Sequence, residues 1–222
     1  MTPETRFRSA RARWAVATAF VMAWVVGLVI GGPDLGPEAS PWDVGQRFSD
    51  QHRVIASSVV VHGVAGVLLV LLGLALGSGR TRRTTVVLAS IAAVLSIDQL
   101  AGEIGLALDP HRAGAVALWE MLSRVDGAKM LVLAALVASV WRGSVRRVPG
   151  FSVVSCLAVV ALVLSGVGYL TLTAGLMAAA AASLPLLLLW SLTATSATVG
   201  EQRSATERAR STVGDGALVP PA

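Results

Sequence analysis

The chain of 222 residues is 55% apolar and only 14% charged, with a mean hydropathy of +0.72, a composition far from that of soluble globular domains. It reads as an integral membrane protein built of helices, because its apolar runs approach the roughly 20 residues needed to cross a bilayer and lack the short alternation of a membrane barrel. The net charge of +5 could suit nucleic acid, but the basic residues stand in small groups beside apolar runs, with no nucleic-acid-binding motif, and so read as cytoplasmic loops.

Residues 1–13 carry four arginines and one acid and form a basic cytoplasmic amino terminus. The apolar run that follows, about 14–32, is longer than a secretory leader core and has no small-residue cleavage site after it. It is expected to be a retained first membrane helix with Trp14 at the inner interface. Pro33 to Arg53 is rich in proline and acids and reads as an outer loop, with one short helix starting at Ser40 or Pro41 and with Trp42 and Phe48 on the membrane surface.

The second helix is expected over about 54–77, interrupted by His62, with Gly73 and Gly77 spaced for close packing inside the molecule. A basic turn leads to the third helix, about 85–108, which carries Asp98, Gln99 and Glu103 and is ended by Asp109 and Pro110. The fourth, about 113–141, begins amphipathically and has only 12 uninterrupted apolar residues, Met130 to Trp141, so a full span draws Asp126 and Lys129 to membrane depth. Glu120 and Arg124 read as a surface ion pair, and Trp119 as an interfacial anchor.

After a second basic turn closed by Pro149 and Gly150 come the fifth helix, about 151–171, and the sixth, about 175–198, in a tight hairpin. Pro185 should kink the sixth. Cys156, the only cysteine, excludes an intrachain disulfide and a thiolate metal cluster, and is read as a small core residue. Residues 200–222 are polar and expected to be a cytoplasmic tail, disordered or only briefly helical.

The organisation is thus an all-α membrane protein, one bundle of six transmembrane helices over 14–199. Six spans put both termini on one side. Arginines number four at the amino end, three in each of the two basic turns and three in the tail, against five Lys or Arg opposite, so both termini are expected in the cytoplasm.

Counting at about 1.5 Å per residue from the cytoplasmic ends puts Asp98 about 20 Å in, Lys129 about 18 Å and His62 about 22 Å. Glu103, Arg124 and Asp126 lie nearer the outer surface. An isolated charge at such depth costs at least about 2.5–3.5 kcal/mol, so these groups should face the interior and pair. One reading is structural, an Asp98–Lys129 ion pair with His62 beside it fixing helix rotation. The other is functional: an outward-facing pocket in which His62, Asp98, Glu103, Asp126 and Lys129 bind a proton or a small polar ligand.

A metal site on His62, Asp98 and Glu103 is opposed by the cation of Lys129 and by the absence of metal-ligand spacings. Haem would need a second intramembrane histidine, and the serines occur in no nucleophile motif. No cofactor, metal or catalytic residue is therefore assigned, and no catalytic motif supports an enzyme. The partners expected are the lipid bilayer and a small polar ligand or proton, without nucleic acid. The competing classes are a secondary transporter or proton-coupled permease component, and a structural or assembly subunit of a membrane complex.

The long first outer loop, the polar third helix and the basic Pro-Gly turn before an aliphatic segment ending in Gly166 to Leu170 (GVGYL) resemble the uncharacterised six-helix membrane proteins of bacteria grouped as domains of unknown function. The resemblance covers nearly the whole chain in layout and implies no activity. A single lysine among 18 basic residues fits a high-GC bacterial source, and hence the bacterial cytoplasmic membrane.

Overall fold

A computed structural model of the chain describes residues 9–32, 35–36, 38–78, 81–144 and 149–215, and all its regular elements are helical. Helix α1 (Ala10–Gly31) starts where the Ser9 side chain accepts a hydrogen bond from the Ala12 amide, satisfying one orphan donor of its first turn. Gly32 ends it at a positive φ of 75°, which glycine adopts freely, and its amide donates back to the Leu28 carbonyl. The Arg53 guanidinium donates to the neighbouring Ile30 carbonyl, placing a cation at the negative end of the helix.

Helix α2 (Pro41–Ser49) has a complete capping box: the Ser40 hydroxyl accepts from the Asp43 amide, and the Asp43 carboxylate accepts from the Ser40 amide at 2.8 Å. Helix α3 (Gln51–Leu76) is capped by Asp50 and contains a π-helical turn over Val59–Val64. Helices α4 (Arg82–Leu108), α5 (Ala115–Gly143) and α6 (Pro149–Thr171) follow, then the single turn α7 (Ala174–Met177) and the long α8 (Ala180–Asp215).

By length and composition, five segments can cross a membrane: α1, α3, α4, α6 and the stretch Ala174–Glu201 that contains α7 and the start of α8. Helix α5 has 29 residues, but Arg124, Asp126, Lys129 and Arg142 interrupt its apolar run. It is nonetheless deeply enclosed, with Leu122, Leu133, Leu136 and Val137 all at 3% exposure or less. The outer surfaces of the other long helices are aliphatic, as in Val29, Val67, Val94 and Val153, the arrangement of a bundle solvated by lipid tails.

Each long helix packs on the next in chain order, and α8 closes the ring by packing on both α6 and α1. Small residues allow the close approaches. A Cβ at Gly127 would lie 2.7 Å from the Gly166 carbonyl oxygen, and one at Gly166 would lie 2.9 Å from that of Gly127, so α5 and α6 meet backbone to backbone. Gly73 faces Ala89 between α3 and α4, an intramolecular contact as its spacing suggests.

Two apolar clusters bracket the bundle along its length. One fills the end nearer the basic turns, around Phe20, Leu72, Leu136, Leu162 and Trp190. The other, at the opposite end, joins Val44 and Phe48 of α2 to Leu106, Trp119 and Leu122 of α4 and α5.

Several expectations need correction. Phe48 does not face the membrane surface but is 2% exposed, its ring 6.3 Å from that of Trp119, which is itself 8% exposed and packs within the bundle. Trp42, on the opposite face of α2, is 68% exposed. Cys156 lies on the exposed face of α6, not in the core. In the expected tail, residues 200–215 continue α8, since no proline follows Pro185 within them and they are mostly helix-compatible. The chain at 1–8 and 216–222, and Arg80, Arg146 and Arg147 of the basic turns, fall outside the described residues.

Candidate functional site

Between the two apolar clusters lies a cavity of about 410 Å³. Its walls come from the last turns of α1, from α2, from the first half of α3, the second half of α4, the first half of α5, the end of α6 and the start of α8. In chain order these are all ends remote from the basic turns. One end of the bundle therefore collects every contribution to the cavity.

Two hydrogen-bonded groups form its polar wall. In the first, Glu103 on α4 accepts a hydrogen bond from the Ser58 hydroxyl on α3, and its other oxygen lies 3.3 Å from His62 Nε2. Ser58 and His62 are four residues apart and so project from one face of α3; the π turn that holds His62 resets that face locally.

In the second group, Lys129 Nζ stands 2.6 Å from Asp126 Oδ1 within α5, and donates also to the Gln99 side-chain oxygen on α4. The Gln99 amide nitrogen completes the loop by donating to Asp126 at 2.9 Å. Lys129, the chain's only lysine, is 2% exposed, with its ammonium 5.9 Å from the centre of the Trp24 ring.

Gln99 and Glu103, one turn apart on α4, thus link the two groups through a single helix face. Trp24, Phe48, Trp119 and Tyr169 add aromatic surface, and Arg47 of α2 lines the cavity as a cation. The Ala181 carbonyl lacks its usual helical donor because Pro185 has no amide hydrogen, and both residues line the cavity. The structure therefore offers side chains of both charges and a potential backbone acceptor within one concave, partly apolar space, the general form of a small-ligand site.

His62 has a further chemical consequence. A carboxylate at Nε2 selects the tautomer that carries its proton there, which leaves Nδ1 with a lone pair. Among the described residues this buried Nδ1 has no hydrogen-bond partner. Burial of an unpaired polar atom is costly, and a ligand, water or proton would relieve it.

Of the five site residues named from the sequence, His62, Glu103, Asp126 and Lys129 meet around the cavity, and Asp98 does not. Asp98 is exposed on the outer face of α4 and makes no hydrogen bond or ion pair among the described residues. The expected Asp98–Lys129 pair is replaced by Lys129 with Asp126 and Gln99, because one residue along a helix turns the side chain by about 100° and it is Gln99 that faces inward. For the same reason the metal set His62, Asp98 and Glu103 is not assembled, and among the described residues no three His, Cys, Asp or Glu side chains group to hold a metal.

Arg124 turns outward to Glu120 at 3.8 Å, the surface pair read from their spacing. Ser58 and Arg47 were not singled out beforehand. The signal for Ser58 was present in its four-residue spacing from His62; for Arg47 there was none, since its position depends on the docking of α2.

No family model, curated protein or solved structure matches the chain.

Proposed function

We propose that the protein is a six-span membrane protein of a bacterial cytoplasmic membrane, with both termini in the cytoplasm, and that its outward-facing cavity binds a small polar ligand with His62 and Glu103 as the proton-responsive pair. In this reading α5 is the sixth span, its charges tolerated because Lys129, Asp126 and Gln99 satisfy one another. The observation that carries it is the convergence of both hydrogen-bonded groups on one cavity while the buried Nδ1 of His62 remains unpaired. Glu103 holds the imidazole in place; Nδ1 accepts a proton or a donor group of the ligand. Lys129 and Asp126 form a fixed neutral floor beside it.

The experiment is thiol labelling in right-side-out membrane vesicles, with Cys156 replaced by Ser and a single Cys placed at Ser123 on the cavity wall. A membrane-impermeant cationic thiosulfonate should label it from the outside, and labelling should slow when Arg47, beside the cavity, is kept rather than replaced by Gln. Labelling only from the cytoplasmic side, or none until the protein is unfolded, would overturn the reading. In parallel, the tryptophan fluorescence of the detergent-solubilised protein should change with pH through Trp24 and Trp119, and His62→Gln should abolish that part of the change.

One observation favours transport over static binding. The last span is broken at Ala178 and Ala179, between α7 and α8, Pro185 within α8 removes one further helical hydrogen bond, and the first turns of α8 line the cavity. Broken helices at a binding site are the usual means by which secondary transporters expose backbone groups to a substrate. Uptake of protons into proteoliposomes, followed with an entrapped pH dye, distinguishes the two: a transporter gives a signal that Glu103→Gln removes, and a binding protein gives none.

A further inference from the structure

The outer face of α4 carries a seven-residue repeat that the bundle does not use. Val87, Ile91, Val94, Asp98, Ala101, Gly105 and Leu108 follow one another at alternating spacings of four and three, the pattern of a helix-packing seam. Val87 is 54% exposed, Ile91 44%, Val94 58% and Leu108 65%, and Asp98 and Ala101 are exposed as well. The inward face of the same helix, Ala89, Ala92, Ser96 and Gln99, is already packed against α3 and α5.

Two features separate this seam from an ordinary lipid-facing surface. The first is Asp98, which lies ten residues from the outer end of α4, about 15 Å, with no partner among the described residues. A carboxyl group so placed cannot reach the headgroup layer through its one-carbon stem, and lipid tails provide no hydrogen bonds. The second is the pair Ala101 and Gly105, a small-xxx-small step immediately beyond Asp98 on the same face. A Cβ at Gly105 would meet nothing within 4 Å, so no internal contact explains the glycine, in contrast to Gly102, which faces Leu122.

We propose that this face of α4 docks a transmembrane helix of another protein that carries a Lys or Arg at the depth of Asp98. Charge complementarity selects the partner: the acid supplies the anion, Ala101 and Gly105 let the two backbones approach, and Val87, Ile91 and Val94 fill the seam toward the cytoplasmic side. A second copy of this chain is a poorer match, because parallel packing about a two-fold axis sets Asp98 against Asp98. The surface is separate from the cavity, which α4 lines from its other face with Gln99 and Glu103.

The test uses the full-length protein in liposomes, labelled with a fluorescence donor at a carboxy-terminal tag. The probes are two synthetic membrane helices of leucine and alanine bearing an acceptor, one with a single Lys at the depth of Asp98 and the other with Leu there. The Lys helix should bind about three- to thirty-fold more tightly than the Leu helix, the range of one hydrogen bond between membrane helices. Asp98→Asn should abolish that preference, and Gly105→Leu, with Asp98 intact, should weaken binding of both helices. Both variants should keep the wild-type circular dichroism spectrum, since both positions face open space. Equal binding of the two helices would overturn the proposal. So would Asp98-dependent energy transfer between donor- and acceptor-labelled copies without peptide, which would give the face to a second copy.

Discussion

The electrostatics of the cavity depend on pairs that are each satisfied locally, which gives single substitutions sharply different consequences. Lys129→Ala would leave Asp126 enclosed beside Gln99 without its cation, and breaking a buried pair typically costs about 3–5 kcal/mol. The double substitution Lys129→Ala with Asp126→Ala should recover most of that loss, which a double-mutant cycle of denaturant unfolding in detergent measures. Asp98→Asn, in contrast, should change stability by less than about 0.5 kcal/mol, as expected for an exposed residue with no partner. A loss at Asp98 comparable to that at Lys129 would restore the ion pair expected from the sequence. Outside the membrane-spanning helices, Asp43 sits below its usual pKa because the Ser40 side chain and then its backbone amide bond the charged form. A depressed folded pKa stabilises above the unfolded pKa, and the contribution is lost as pH falls through the folded one. The difference in melting temperature between wild type and Asp43→Asn should therefore be present at neutral pH and shrink on acidification below the usual Asp range.

At the scale of elements, five helices long and apolar enough to span were legible from apolar run length, and caps from Ser, Asp and Gly at helix ends, because both are local properties. Rotation of each helix about its own axis was not local. In a soluble helix the large aliphatic residues face the core; in α4 they face outward, and the packed face is Ala89, Ala92 and Ser96. Assigning Asp98 inward on its desolvation cost alone overlooked that the small residues mark the other face. The same packing logic predicts contrasting glycine variants. Gly127→Leu should separate α5 from α6 and destabilise by about 1–3 kcal/mol or more, since the obstacle is the Gly166 backbone rather than a movable side chain. Gly105→Ala, in open space, should be neutral or raise helix stability by up to about 1 kcal/mol. Thermal unfolding of the two purified variants checks both directions.

For the molecule as a whole, α2 matters beyond its nine residues, because Val44 and Phe48 belong to the apolar cluster remote from the basic turns and Arg47 stands beside the cavity. The proposed topology makes a direct prediction: a phosphatase reporter that is active only outside the cytoplasm should be inactive when fused after Asp215 and active when inserted in the loop after α1. Activity in the carboxy-terminal fusion would mean that α5 does not span. The chain by itself determined the membrane class and the helical form, because hydropathy and length act along the sequence. Only the tertiary structure decided that His62 meets Glu103 and Ser58, that Lys129 meets Asp126 and Gln99, and that Asp98 turns outward. Those outcomes depend on helix rotation, and rotation is set by backbone approaches such as Gly127 to Gly166 and by the π turn at His62, which join residues far apart in the chain.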